Sequence, residues 1–208
     1  MIKKVLVTVG IALAAGMLSG CTDNVSALDT VTDPIETSEN TSESKVPLPY
    51  KAATALLPEQ IEALRSTEFE IVLPEYVPEG FSVTAVRTEV NKEARFRDTS
   101  ALIVFSKAGG EDSRDTCFGI SSTAGGIGGL PPGEVSYPVS PSAFEVSTLE
   151  YGQYGESEDP TLLGQWLGEG PFYRFAGAGT EAELADCNNV DSDEAVKITE
   201  SFQYQTEL

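Results

Sequence analysis

From Phe81 to Ala176 the chain carries one strand signal after another, with helix signals only before and after them. Phe81, Val83 and Ala85 alternate with Ser82 and Thr84, the period of a half-exposed strand. Residues 101–105 are continuously apolar and suit a central strand, and residues 117–122 supply another. Phe144 and Val146 share one phase while Leu149 and Tyr151 take the other, so a bulge or short break is expected between them. Residues 162–167 and 172–176 flank Gly168-Glu169-Gly170-Pro171, a hairpin pattern with a glycine-rich turn. At the front, Leu57-Pro58-Glu59-Gln60 opens a short helix with Pro near N1, and Ile61 and Leu64 give it an apolar side. At the back, Asp191 is an N-cap with Glu194 at capping-box spacing. Ala195, Ile198 and Phe202, with Val196 and Thr199 beside them, form the inward stripe of this last helix. Strands in succession between terminal helices predict an α+β fold. The expected form is a curved, largely antiparallel sheet with helices at both ends of the domain, the C-terminal helix packing on it.

Composition narrows the chemistry. The chain has 208 residues, 33 acidic against 13 basic, no histidine and three cysteines. A formal charge of −20 argues against nucleic acid, whose phosphates are bound by neutralising them with Lys and Arg. Without histidine there is no Ser-His-Asp or Cys-His catalysis and no His-containing zinc site. Apolar residues make up 40% of the chain, so a packed core is expected. Residues 22–44 differ sharply: they are rich in Ser, Thr, Asp and Glu and contain no aromatic residue. Such a segment cannot bury enough apolar surface to offset its ordering entropy and reads as a spacer. Ser42-Glu43-Ser44-Lys45 spells S-x-x-K, which carries no chemistry in a tether. Pro47 and Pro49 stiffen the approach to residues 51–208, which are numerous enough to bury roughly 70% of the unfolded surface. Those residues hold a net −17, so the acidity belongs to the folded part.

Lys3 and Lys4 precede an uncharged apolar stretch, residues 5–17, too short to span a membrane and followed by Leu18-Ser19-Gly20-Cys21. This resembles the lipobox of bacterial lipoproteins. The resemblance implies that residues 1–20 are a signal peptide and that Cys21 is lipidated. It makes residues 21–50 an acidic tether and residues 51–208 a single globular domain. Two or three acyl chains on Cys21 hold a protein firmly to a membrane. The domain would face the periplasm or the cell exterior; Thr22 in place of Asp favours the outer membrane if the cell is Gram-negative. Three further stretches are Leu73 to Phe81, Trp166 to Tyr173 and Glu194 to Phe202. They are similar to a domain of unknown function from bacterial envelope proteins, related to lipoprotein-carrier-like curved sheets. The similarity runs over residues 69–203 and implies an incomplete antiparallel barrel wrapped around a helix. The glycine- and proline-rich residues 124–133 depart from it.

Setting Cys21 aside leaves Cys117 and Cys187, an expected disulfide in an oxidising compartment, with two buried free thiols as the alternative. Residues 186–194 have the oxygen density calcium favours but not the register of an EF-hand loop, and capping already explains Asp191 and Glu194. Glu111, Asp112 and Asp115 read as a solvated turn. Acid pairs capable of hydrolysing glycosides cannot be singled out among so many carboxylates. Residues 124–133 lack a P-loop lysine and read as a surface loop or, alternatively, a binding lid. Arg87, Lys92, Arg95 and Arg97 form a local basic run. It is either a solvated hairpin paired with Glu89, Glu93 and Asp98 or a contact for a polyanion or lipid head group. No catalytic residue, metal or cofactor is expected. The expectation is a monomeric, lipid-anchored, non-enzymatic envelope protein that binds a protein partner or an apolar ligand on a concave sheet. The alternatives are a structural or surface-display lipoprotein and a carboxylate- or metal-dependent hydrolase.

Overall fold

A computed structural model of the chain describes residues 56–90, 99–111, 113–125, 127–154 and 159–206. Cys21 with its signal segment and tether, and Lys92, Glu93, Arg95, Arg97, Asp98 and Asp112, lie outside the described residues. The chain divides into Met1–Lys45 and Val46–Leu208, and the fold is that of the second unit.

The first helix, α1 (Pro58–Arg65), starts where expected. Pro58 occupies its first turn, and the Gln60 side chain reaches back to accept from the Leu57 amide at 2.8 Å. Leu64 is buried and Ile61 packs against the core. Strand β1 (Val72–Pro74) follows, then β2 (Ser82–Glu89), β3 (Ser100–Lys107), β4 (Thr116–Thr123) and β5 (Val135–Val139). After these come β6 (Ser147–Gly152), β7 (Thr161–Gly164), β8 (Phe172–Ala176), β9 (Asn188–Asn189), α2 (Ser192–Glu200) and β10 (Phe202–Tyr204). The main sheet runs β2-β3-β4-β8-β7-β6-β5, antiparallel throughout, and β9 adds a short parallel pairing to β4. β1 and β10 form a separate antiparallel pair. The fold is the predicted α+β arrangement, an open sheet rather than a closed barrel. Among the described residues no helix is long and apolar enough to cross a membrane.

Alternation assigns the two faces of the sheet. One face presents Ile103, Phe105, Phe118, Ile120, Leu149, Tyr173 and Phe175 to α1, α2 and the β1–β10 pair. Phe105, Phe118 and Phe175 stack in a row, with centroids 4.8 and 5.7 Å apart. Ala195, Ile198 and Phe202 are fully buried against this face. The apolar cavity remaining there, lined by Leu64, Ile71, Val72, Ile103 and Tyr173 among others, holds only about 10 Å³. The other face carries Leu102, Val104, Cys117, Leu163 and Ala176 beneath Leu184. Leu184 comes from a short 3-10 turn, Ala182–Leu184. The expected disulfide joins Cys117 to Cys187, with Cα atoms 5.5 Å apart, and fastens that covering segment to β4.

Three expectations need correction. Phe202 is not on the last helix: α2 ends at Glu200, and the chain turns so that Phe202 opens β10, paired with Pro74. Its burial belongs to a strand that the helical spacing had absorbed. Asp191 caps α2 through the Asp193 amide, but Glu194 does not complete a capping box; it binds Lys197 at 2.8 Å and the Tyr76 hydroxyl instead. Phe144 and Val146 do not share a strand face, because both precede β6, and Val146 is 74% exposed.

Candidate functional site

Cross-strand register builds the site. Arg87 on β2 pairs with Leu102 on β3, Leu102 with Ser121 on β4, and Ser121 with Arg174 on β8. Directly paired residues point to the same face, so two arginines and a serine lie in one row across the face that Leu184 partly covers. The next row in the same phase holds Glu89, Ser100 and Thr123. Residues 181–183 and the glycine-rich loop stand over these rows. Together they enclose a cleft of about 480 Å³ lined by Arg87, Ser121, Thr123, Gly128, Leu130, Trp166, Arg174 and Glu181.

Glu181 lies between the arginines, 3.3 Å from Arg87 Nη2 and 3.6 Å from Arg174 Nη2, and its other near neighbour is the Ser121 hydroxyl at 3.5 Å. Arg87 also donates from Nη1 to both Glu183 oxygens at 2.9 and 3.0 Å, and Glu89 stands 3.8 Å away. The Arg174 guanidinium packs on the Trp166 ring, 4.2 Å from its centroid. Its Nε is buried with no hydrogen-bond partner among the described residues. Burial pulls the Arg174 pKa below the ordinary guanidinium value, and Glu181 counters this only in part. Two guanidinium charges thus face three carboxylates, so the cleft is polar without being basic.

The glycine-rich loop is fastened at one end. Gln165 holds Leu130 twice, accepting from its amide at 3.3 Å and donating to its carbonyl at 3.2 Å. Tyr154 donates to the Pro131 carbonyl at 3.0 Å. The Gly133 amide donates to Glu150 at 3.0 Å. A Cβ at Gly133 would sit 2.4 Å from the Tyr151 carbonyl oxygen, so glycine is required by this approach. Glu150 is itself buried and also accepts from Thr148 at 2.7 Å and from Ser136. Burial alone would raise its carboxyl, but the three donors outweigh it and hold the group below its ordinary value. Glu150 thereby ties Gly133 to Ser136 on β5 and Thr148 on β6.

Of the basic run, Arg87 lies in the cleft under three carboxylates, and Lys92, Arg95 and Arg97 lie outside the described residues. Cys117 and Cys187 are joined away from the cleft, below Leu184. In the acidic segment Asp191 caps α2, Asn188 donates to the Arg114 carbonyl, and Asn189 accepts from Thr161 and the Ala178 amide. Among the described residues no group of three or more Cys, Asp or Glu side chains converges as a metal site would need. The sequence reading missed Arg174, Glu181 and Glu183; Trp166 it had noticed only as part of a hairpin. The chain matches no protein-family model, no curated protein and no solved structure.

Proposed function

We propose that this is a lipid-anchored envelope protein, held to a membrane by acyl chains on Cys21, whose domain binds a protein partner without catalysing a reaction. The anchor reading rests on Lys3, Lys4, the short apolar stretch and the lipobox-like Leu18-Ser19-Gly20-Cys21. One observation carries the binding reading. The apolar face of the sheet is packed by the domain's own aromatic and helical side chains, and the cavity beneath α1 there holds about 10 Å³, whereas two surface clefts of about 550 and 480 Å³ share Trp166 as a lining residue. Recognition is therefore assigned to the open surface rather than to a buried lipid cavity. The absence of histidine from the sequence supports a non-enzymatic role.

Two measurements test this. Cys21→Ala is expected to move the protein from the membrane fraction and abolish acyl labelling; persistent labelling overturns the anchor. A photo-crosslinking amino acid at Glu169, beside Trp166, is expected to give a discrete protein adduct in cells, while one at Glu59 on α1 gives none. Lipid extracted from the purified domain would establish the apolar-ligand reading instead. No adduct at either position and no lipid would leave a display protein.

A further inference from the structure

Trp166 also lines a second groove, of about 550 Å³, and we infer that it receives an extended, lysine- or arginine-bearing segment of the partner. The inference rests on the partner-binding reading and names the partner's chemistry. Four separate stretches of chain form the groove: the β5–β6 connection, the β7–β8 turn, Tyr204 of β10, and Glu70 ahead of β1. The turn is shaped by Gly168 and Gly170, at φ +89° and +120°, where other residues would be strained. Behind the groove Phe144, Tyr173 and Tyr204 are in mutual ring contact, with centroids 5.0 to 5.9 Å apart. Tyr173 is fixed there by donating its hydroxyl to the Glu70 carbonyl.

Phe144, Trp166 and Tyr204 stand among largely polar walls, and the charges are all of one sign. Glu70, Glu145 and Glu169 line the groove and are exposed, no Lys or Arg lines it, and none of the three has an ion-pair partner among the described residues. Carboxylates around aromatic rings complement a cation on an apolar stem: the charged head pairs with the acids while its methylenes lie on the rings. Val146, 74% exposed, and Tyr204 give the groove apolar surface that the domain itself leaves uncovered. That surface suits apolar residues alternating with the cations of an extended segment. The net −17 of residues 51–208 draws such a segment in and repels anionic lipid head groups.

Trp166 is the chain's only tryptophan, so its fluorescence reports occupancy. The purified full chain in non-ionic detergent is titrated with a ten-residue alternating Lys-Leu peptide, with Glu-Leu and Lys-Ser peptides and free lysine as comparisons. The Lys-Leu peptide is expected to change Trp166 emission saturably. Glu145→Gln with Glu169→Gln should weaken its binding about tenfold, while Glu59→Gln with Glu62→Gln on α1 should leave it unchanged. If the first pair fails to fold, the native chain still decides. Its affinity should fall as salt rises from about 0.01 to about 0.15 M, where screening shortens from about 30 to about 8 Å. No response, equal binding of Glu-Leu, or salt-independent binding overturns the inference. Lys-Ser binding as tightly as Lys-Leu overturns the apolar part, and free lysine binding as tightly makes this a small-cation site. A crosslink from position 169 in cells, without Lys-Leu binding, would leave the partner reading standing and remove only the cationic segment.

Discussion

Replacing Cys117 and Cys187 together with alanine is expected to destabilise the domain by about 4 kcal/mol. The bridged residues are 70 apart in sequence, and a crosslink closing a ring of that size restricts the unfolded chain by about that amount through loop-closure entropy. Little is lost on the native side, because the covering segment has other attachments. Leu184 is fully buried, β9 pairs with β4 at Thr116 and Cys117, and Asn189 holds Thr161, Ala178 and the Pro160 carbonyl. The loss should lower the melting temperature by about 8 to 16 °C. Urea unfolding followed by Trp166 emission should show an earlier midpoint and a steeper denaturant dependence, since the open unfolded chain exposes more surface. A loss under about 1 kcal/mol with an unchanged slope would refute the argument, because the unfolded ensemble would then not be the state the bridge acts on.

Glu150→Gln should cost about 1 to 3 kcal/mol at neutral pH, measured by urea titration. The native carboxyl titrates below its unfolded value, so its contribution is present above about pH 4.3 and is lost as pH falls through the folded value; the variant should lack that component of acid sensitivity, and an unchanged profile would refute it. Gly177→Ala should cost about 1 to 3 kcal/mol, because its Cβ would lie 2.3 Å from the Leu162 carbonyl oxygen and 2.8 Å from Asn189 Oδ1; an unaltered thermal melt would contradict the clash. Arg174→Met should stay within about 1 kcal/mol of the native stability, since it removes a buried, unpartnered Nε together with a loose 3.6 Å ion pair. Trp166 emission should shift as the stacked guanidinium leaves, and a loss above about 3 kcal/mol would show the pair with Glu181 to be stronger than its geometry implies.

The parts of the fold legible in the sequence are those where local pattern and tertiary role agree. Residues 101–105 are apolar throughout because β3 is paired on both sides and covered on both faces. The Gly168–Pro171 turn was visible because its backbone needs glycine. What escaped is short and non-local. β1 and β10 are three residues each and exist by pairing across the length of the domain. Phe202 shows the cost of reading period alone: it continues the α2 stripe in sequence, yet the helix ends two residues earlier.

The site was harder to read for a related reason. Arg87, Ser121 and Arg174 are far apart in sequence and neighbours only through three strand registers, each of which would misplace them if shifted by one residue. Glu181 then pairs with Arg87, the described member of the basic run, because its segment is laid over β4 by the disulfide and by Leu184. The glycine-rich loop reads from sequence as a surface loop, with a lid as the alternative, and Gln165, Tyr154 and Glu150 fasten its residues 130–133. Gln165 is next to Trp166, so the residue that clips the loop also helps set the wall between the two clefts. Such fastening reduces the ordering that binding must impose. The shape of both clefts at Trp166 therefore depends on how Gln165, Tyr154 and Glu150 hold residues 130–133, and loosening Gln165 should disturb both clefts together.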